Sequence, residues 1–420
     1  MIVQRTETHL IKESNPIYDW ILEECSRSRN LYNKTLFIYR QAFTRNHDKI
    51  EDFKSIIRHD KFISSFELVK QMAKLKDSDY YAMTKKNSGT QVVCQVDKTM
   101  KSWFAALKSY KKDPSKFRGR PRIPSYKKKD ELNCLTYTYV DASLQKDGTI
   151  NISKTVKLPI HTNLKKFQQV RLVPKTGFIQ VEIIYNKEIS DLKLDQTRAI
   201  GIDLGLNNLM AITSNIGNVS SLVNGRPLKS INQYYNKRKA HLTSLLEKDK
   251  LKSSKRLRRL EMKRNCKIKD YLHKTSRRIV ELMEQNNIGT CFIGHNKDWK
   301  QEINIGSKNN QNFVSIPYSL LINMLRYKIE EKGGVLFELN EAYTSKCSFL
   351  DNEEICKHEI YKGKRVKRGL FLSSDKKALN ADINGSLNIL KRGMKFGFDF
   401  KDCFFRPEKI DIEKKLLNFA

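Results

Sequence analysis

Nowhere in its 420 residues does the chain hold a CxxC pair, an HxH pair or an unbroken apolar run of the ~18 residues that a membrane helix needs. The first absence counts against a structural zinc site, which closes four nitrogen or sulfur ligands around the ion. The second counts against a strand-joining enzyme built on a tyrosine beside a metal-binding histidine pair. The third, with a first segment (MIVQRTETHLIKE) that is nowhere continuously apolar, leads to the expectation of a cytoplasmic protein, in a bacterium the cytosol or nucleoid, with no membrane partner. The eight cysteines (25, 94, 134, 266, 291, 347, 356 and 403) are scattered, as reduced thiols in a long intracellular chain would be. Acidic residues are also in short supply.

There are 46 Asp and Glu against 80 Lys and Arg, a net charge of +34, and for a chain without membrane segments the natural counterpart is nucleic acid. The excess is concentrated. Residues 108–130 hold ten Lys and Arg against two Asp, and residues 248–278 hold fourteen against three acidic residues. At 39% hydrophobic the chain can still bury real cores, so it is not a disordered polycation.

The texture changes along the chain. Residues 1–15 read as one β segment and residues 16–115 as helical, with Val92, Val93, Val96, Met100, Trp103, Phe104 and Leu107 at helical spacing. The segment KFRGRPRIPSYKKK interleaves Phe117 and Tyr126 with cations, and its prolines exclude a helix. Lys116, Arg118, Arg120, Arg122, Lys127 and Lys128 are therefore expected on an extended, phosphate-gripping loop. Residues 134–190 alternate as strands around a turn at Asp147–Gly148, which predicts a small β-barrel completed by the N-terminal strand. Residues 191–198 read as a polar linker.

Two stretches carry the chemistry. In AIGIDLGLNNLMAITSN, Ile200, Ile202 and Leu204 fall on one face of a strand and Asp203 on the other. In LNADINGSLNIL, Asn380 caps a helix, Asp382 lies in its first turn, and Leu387, Ile389 and Leu390 form its apolar side. Carboxylate oxygens suit Mg²⁺ or Mn²⁺, and two such ions ~3.5–4 Å apart can activate water and stabilise a leaving oxygen. The first stretch alone is unspecific, since sugar kinases and actin-like ATPases open similarly; the pair is specific.

These stretches, with KFRGRPRIPSY, DYLHKTSRRIV, IGHNKDWKQ, NNQNFVSIP, NEAYTSKCS and GKRVKRGLF, resemble the TnpB (OrfB) family of transposon-encoded RNA-guided nucleases, relatives of the compact type V CRISPR effectors. The resemblance implies an α/β multidomain chain with an RNase H-like (RuvC) nuclease domain and a helical bundle inserted in a wedge β-barrel. Its boundaries would be 1–15 with 116–190 for the barrel and 16–115 for the helical recognition domain. The nuclease would take 198–343 with 377–395, around a nucleic-acid-binding insert at 344–376 and before a C-terminal tail at 396–420. It implies a guide RNA from a transposon end or a CRISPR array, a double-stranded DNA target with a short flanking motif, and cutting with two Mg²⁺ or Mn²⁺ ions. Arg256 and Arg259 on the basic helices, and Lys364, Arg365, Lys367 and Arg368 in the insert, are expected at nucleic-acid backbone.

The chain departs from the family pattern twice. The fourth strand of the nuclease domain, which in the family ends in a glutamate, reads FIGHN, with Gly294 in that place. In the implied topology the fifth strand lies parallel beside it, so Glu341 at the end of VLFELNE is expected to reach the same cleft and complete a metal site with Asp203 and Asp382. Glu338, inside that strand, would face the other way; Glu302 is the rival. Second, the family's paired cysteines are reduced to Cys347, Cys356 and His358, so zinc is not expected. A silent RNA-guided repressor is the alternative that Gly294 raises. Asn384 is read as structural, His273 as packed or solvent-facing, and Trp299 as a core plug or a stacking platform.

Overall fold

The structure, a computed structural model, describes residues 2–57, 63–189, 193–296, 315–367, 369–394 and 402–412. Two compact units divide the chain, Ile2–Glu188 and Ile189–Ala420.

The first unit opens with β1 (Ile2–Lys12) and continues with the helices α1 (Tyr18–Phe43), α2 (Ser65–Lys74), α3 (Ser78–Tyr81) and α4 (Lys86–Lys112). Val92, Val93, Val96 and Met100 recur at helical spacing, and α4 buries that stripe in one core with Ile21, Cys25, Leu31, Leu36 and Tyr39 of α1. Trp103 and Phe104, which continue that spacing, are half-buried and pack around Phe43 at 5.2 and 5.6 Å between ring centres. The strands β2 (Leu135–Thr138), β3 (Ser143–Leu144), β4 (Thr149–Asn151), β5 (Lys157–His161), β6 (Gln169–Lys175) and β7 (Phe178–Glu188) come next. β1 pairs antiparallel with β7 over all eleven of its residues, so the N-terminal strand does join this sheet. The expected barrel, however, is two open sheets among the described residues, one ordered β1-β7-β6-β2 and one β3-β4-β5. Leu135–Thr138 and Ser143–Leu144 are separate short strands, and this break puts them in different sheets.

The second unit is built on a six-stranded sheet. β8 (Asp195–Leu204), β9 (Asn208–Ser214) and β10 (Ser220–Asn224) form an antiparallel ribbon. The helices α5 (Arg226–Lys248) and α6 (Lys255–Gln285) lead to β11 (Ile288–Gly294), and α7 (Tyr318–Glu330) precedes β12 (Val335–Leu339). β11 lies parallel to β8 and to β12. After the small sheet of β13 (Lys364–Lys367), β14 (Leu370–Leu372) and β15 (Ala378–Leu379) come α8 (Ala381–Gly393) and β16 (Glu408–Ile410). The sheet order is β12-β11-β8-β9-β10-β16. Two expectations shift here. β8 starts at Asp195, inside the segment read as linker, and the tail supplies an edge strand, β16, parallel to β10.

Alternation along β8 sorts the layers. Ile200, Ile202 and Leu204 pack with Leu272, Ile279, Leu321 and Leu325 of α6 and α7. Ala199, Gly201 and Asp203 point the other way, where α8 lies. A Cβ on Gly201 would sit 2.5 Å from the carbonyl oxygen of Ser386 and 2.8 Å from the Cβ of Leu390, so only glycine lets the helix come this close. Ser386 Oγ donates to the Gly201 carbonyl at 2.8 Å across the same gap. Among the described residues, no helix is long and apolar enough to cross a membrane.

Candidate active site

α8 meets Asp203 through its first turns. Asn380 Oδ1 accepts the backbone N–H groups of Asp382 (2.9 Å) and Ile383 (3.3 Å), which fixes the start of the helix and sets Asp382 in its first turn. Three residues further on is Gly385, where a Cβ would lie 2.7 Å from Asp203 Oδ2. The carboxylate of Asp203 thus rests on the helix at Gly385, one turn from Asp382. Asn208, the first residue of β9, donates from Nδ2 to Asp382 Oδ2 at 2.7 Å and so links the ribbon to the same carboxylate.

Glu341 arrives from the other edge. A Cβ on Gly294, the last residue of β11, would be 3.2 Å from both the Cβ and the Oε2 of Glu341 and 2.5 Å from Ile389 Cδ1. The main chain of Glu341 is pinned on both sides. Its N–H donates to Asn296 Oδ1 at 3.1 Å, and its carbonyl accepts Thr344 N–H at 3.2 Å and Thr344 Oγ1 at 2.8 Å. Two asparagines of α8 hold the chain beyond Glu341. Asn388 Nδ2 donates to the carbonyls of Thr344 and Cys347, both at 2.8 Å, and Asn384 Nδ2 donates to Cys347 at 2.9 Å. Asn384 Oδ1 also accepts the Phe349 N–H at 3.0 Å. Both asparagines are fully buried and tie the Glu341 segment to the helix that carries Asp382.

The three carboxylates differ in setting. Burial first, then the charges of Asp382 and Glu341, push the Asp203 carboxyl well above the usual range, against the pull of Arg365. Burial alone raises Glu341 to about 7. Burial, then Asp203 and Glu341, also raises the Tyr318 hydroxyl, which donates to the Gly205 carbonyl at 2.8 Å. Arg365, on the exposed strand β13, lies 3.8 Å from Asp382 Oδ1. Among the described residues no three His, Cys, Asp or Glu side chains close into a preformed metal cage. The chemistry of the donors nonetheless suits a hard divalent cation, because they are carboxylate oxygens whose joint ionisation burial and mutual repulsion oppose, and a cation relieves both.

The other candidates separate. Glu338 pairs with Arg326 and, at 3.0 Å, with His295 Nδ1, which gives it a structural role. His273 is half-buried, its carbonyl accepting Lys328 Nζ at 2.8 Å. Cys356 Sγ is 3.3 Å from His358 Nε2, and Cys347 Sγ is 3.6 Å from the Cys356 carbonyl. Trp299, Glu302 and Arg368 lie outside the described residues.

In the first unit the cationic segment is more engaged than a free loop. Lys116 ends a short 3₁₀ turn and pairs with Asp113 at 3.2 Å. Asn33 holds both main-chain groups of Lys127, whose Nζ lies 5.0 Å from the Tyr32 ring centre. Phe117 packs edge-on against Tyr110, and the Arg40 guanidinium covers Tyr126, so the two aromatics interleaved with the cations are in use internally. Arg118, Arg120, Arg122 and Lys128 are exposed, as are Lys364 and Lys367 on β13 and Arg256 and Arg259 on α6. Sequence reasoning missed Asn208 and Asn388 and put Arg365 among the backbone contacts. Asn208 had a faint signal, the turn GLNNL directly after Asp203; Tyr318 had none, being joined to Gly205 only by the tertiary fold.

A family model described as "Probable transposase" (OrfB_IS605) matches residues 182–300, and one for the TNB domain of Cas12f1-like proteins matches residues 318–389. The TnpB-like protein ORF457 of Acidianus two-tailed virus is 25% identical over 218 residues, which are 50% of this chain and 44% of that protein. The chain thus spans less than half the length of this curated relative. Of solved structures, a chain of a Cas12f1–sgRNA–target DNA complex is similar at a TM-score of 0.37 with 16% identity, covering 93% of this chain and 100% of that one. A CRISPR–Cas12f ternary complex is similar at 0.35 and 14%, covering 87% and 81%.

Proposed function

We propose that this chain, a TnpB (OrfB) family protein related to the type V effectors, is an RNA-guided DNA endonuclease of RNase H-like (RuvC) type that hydrolyses phosphodiester bonds at Asp203, Glu341 and Asp382. One observation carries the reading. The carboxylate of Glu341 stands over Gly294, in the space that a side chain on the fourth strand would take, while Asp203 and Asp382 meet at the first turns of α8. The parallel placement of β11 between β8 and β12 supports the RNase H-like reading, in which the fourth and fifth strands run parallel beside the first.

Asp203, Glu341 and Asp382 would hold Mg²⁺ or Mn²⁺. Bound there, the ions would supply an acidified water and charge compensation for the scissile phosphate. The chain's own residues set the stage. Asn208 orients Asp382, the Asn384–Asn388 pair fixes the segment bearing Glu341, and Gly201 and Gly385 let α8 approach Asp203. Arg365, beside Asp382, is placed to meet an incoming phosphate once the carboxylates are otherwise compensated. The cationic surfaces supply affinity for guide RNA and target DNA, and base pairing supplies the sequence choice. The silent-repressor alternative rested on the missing carboxylate at Gly294; Glu341 beside that glycine supports hydrolysis instead.

The experiment is to sequence the RNA that co-purifies with the protein and to challenge the complex with a plasmid library of randomised flanks in Mg²⁺. Cleavage that disappears in Asp203→Ala, Asp382→Ala and Glu341→Ala, with target binding kept, is the expected result. Guide-dependent binding by the unsubstituted protein with no cutting in Mg²⁺ or Mn²⁺ overturns hydrolysis and leaves the repressor.

A further inference from the structure

α6 is 31 residues long, yet its buried side chains begin only at Ile268. Its C-terminal half packs with the core of the sheet, and its cations there are neutralised within the helix. Lys274 pairs with Asp270 at 2.6 Å and Arg277 with Glu281 at 2.8 Å, each one turn apart. The N-terminal half pairs with α5 and is different. Between the two helices is a cavity of about 650 Å³. Ile231, Leu242 and Leu260 contribute apolar lining, and Arg238, Arg256, Arg259 and Lys263 line it as well. No acidic residue lines it, and among the described residues none of these four cations has an ion-pair partner.

The wall is built rather than incidental. Arg264 is half-buried, donates from Nε to Asn232 Oδ1 at 2.9 Å and from NH2 to the Ser315 carbonyl at 2.7 Å, and lies 5.5 Å from the ring centre of Tyr235. Lys239 stands 5.9 Å from the same ring. Beside it Tyr234, which also lines the cavity, is 64% exposed, a large aromatic that no core has claimed. An exposed aromatic, apolar side chains and unpaired cations lining one groove match an unpaired nucleotide, with a flat base to stack and a phosphate to neutralise. A duplex keeps its bases stacked inside and offers only phosphates to such a groove. An acidic peptide would use the cations and leave the tyrosine and the apolar lining without a role.

From this we infer that the α5–α6 groove is a second nucleic-acid site, separate from the carboxylates, which captures an unpaired segment by stacking a base on Tyr234 and holding its phosphates with Arg238, Arg256, Arg259 and Lys263. It rests on the proposed nuclease function only for the class of partner. RNA and DNA single strands share the chemistry described, and the experiment tells them apart.

The full chain is irradiated in EDTA with single-stranded RNA carrying 5-iodouridine, with the DNA strand of the same sequence, and with the duplex. Adducts are mapped by mass spectrometry. The expected result is an adduct on Tyr234 with one or both single strands and none with the duplex; which strand reacts identifies the source. Arg256→Glu with Arg259→Glu should lower the slope of log affinity against log salt by about 1.4, at about 0.7 per single-strand phosphate contact. Both arginines are exposed, so an unchanged melting temperature certifies the fold of this variant. Adducts confined to other segments, equal reaction with the duplex, or a slope unmoved by the double reversal overturns the inference. Because EDTA stops hydrolysis, the result does not depend on whether the carboxylates cut.

Discussion

Glu341 lies against Gly294. A Cβ built on that glycine would lie 3.2 Å from Glu341 Oε2 and 2.5 Å from Ile389 Cδ1, so a side chain at 294 would crowd the carboxylate. The last residue of β11 is bare at the place where β12 delivers an acid, and the parallel pairing of Gly294 with Leu339 brings the two together. A glycine that taken alone suggests a lost carboxylate leaves, in the fold, room for a neighbouring one.

Gly294→Ala should therefore injure the site from the inside. The added methyl meets Glu341 and Ile389 and should cost about 1–3 kcal/mol, as overpacking does. Thermal melting reads the cost, and cleavage should fall at least tenfold. Glu341→Gln should lose cleavage as severely with a melting temperature unchanged or raised, because burial already opposes the ionised glutamate. Full activity in Gly294→Ala would count against the steric relation.

Asn388→Ala removes the donor that two buried carbonyls share, those of Thr344 and Cys347. The cost should be about 1–3 kcal/mol. Since the released segment is the one that carries Glu341, cleavage should drop further than the melting temperature alone accounts for, whereas guide RNA binding should stay. Activity that merely tracks stability would reduce Asn388 to a packing residue.

Stability of the cation-free protein should fall as pH rises. Glu341 ordinarily titrates near 4.5 and in the fold near 7, so between these values the folded state keeps a proton that the unfolded state has released. The stabilisation is complete below about 4.5 and lost as pH climbs through about 7, up to about 3.5 kcal/mol for this group at about 1.4 kcal/mol per unit. Asp203, also raised, adds in the same direction. Differential scanning calorimetry in EDTA reads the slope. Mg²⁺ or Mn²⁺ added above neutral pH should restore what was lost, and a flat profile would mean that the carboxylates are not held as described.

Arg365 should compete with cations for Asp382. Arg365→Ala removes a positive charge 3.8 Å from Asp382 Oδ1, so Mn²⁺ should bind a few-fold more tightly by isothermal titration. Weaker Mn²⁺ binding would show that Arg365 organises the carboxylates instead of opposing the ions.

What the chain could announce by itself was local. Strand alternation put Asp203 opposite Ile200 and Ile202, and a capping asparagine put Asp382 in a first helical turn, because both depend only on neighbours a few residues away. Charge clustering and family motifs are likewise written along the chain. The strand β1 could be recognised, but not that the strands of its unit part into two open sheets, since closure depends on which edges meet. β16 was read as tail, for its three residues are a strand only beside β10. Arg365 looked like a surface cation until β13 folded against the start of α8. Above all, the sequence by itself determined that a glycine ends β11 and an acid comes after β12. The family resemblance led to the expectation of a shared cleft; only the tertiary structure decided that the carboxylate lies against the glycine itself, because parallel pairing joins Gly294 to Leu339, 45 positions apart, and no local preference encodes a contact at that range.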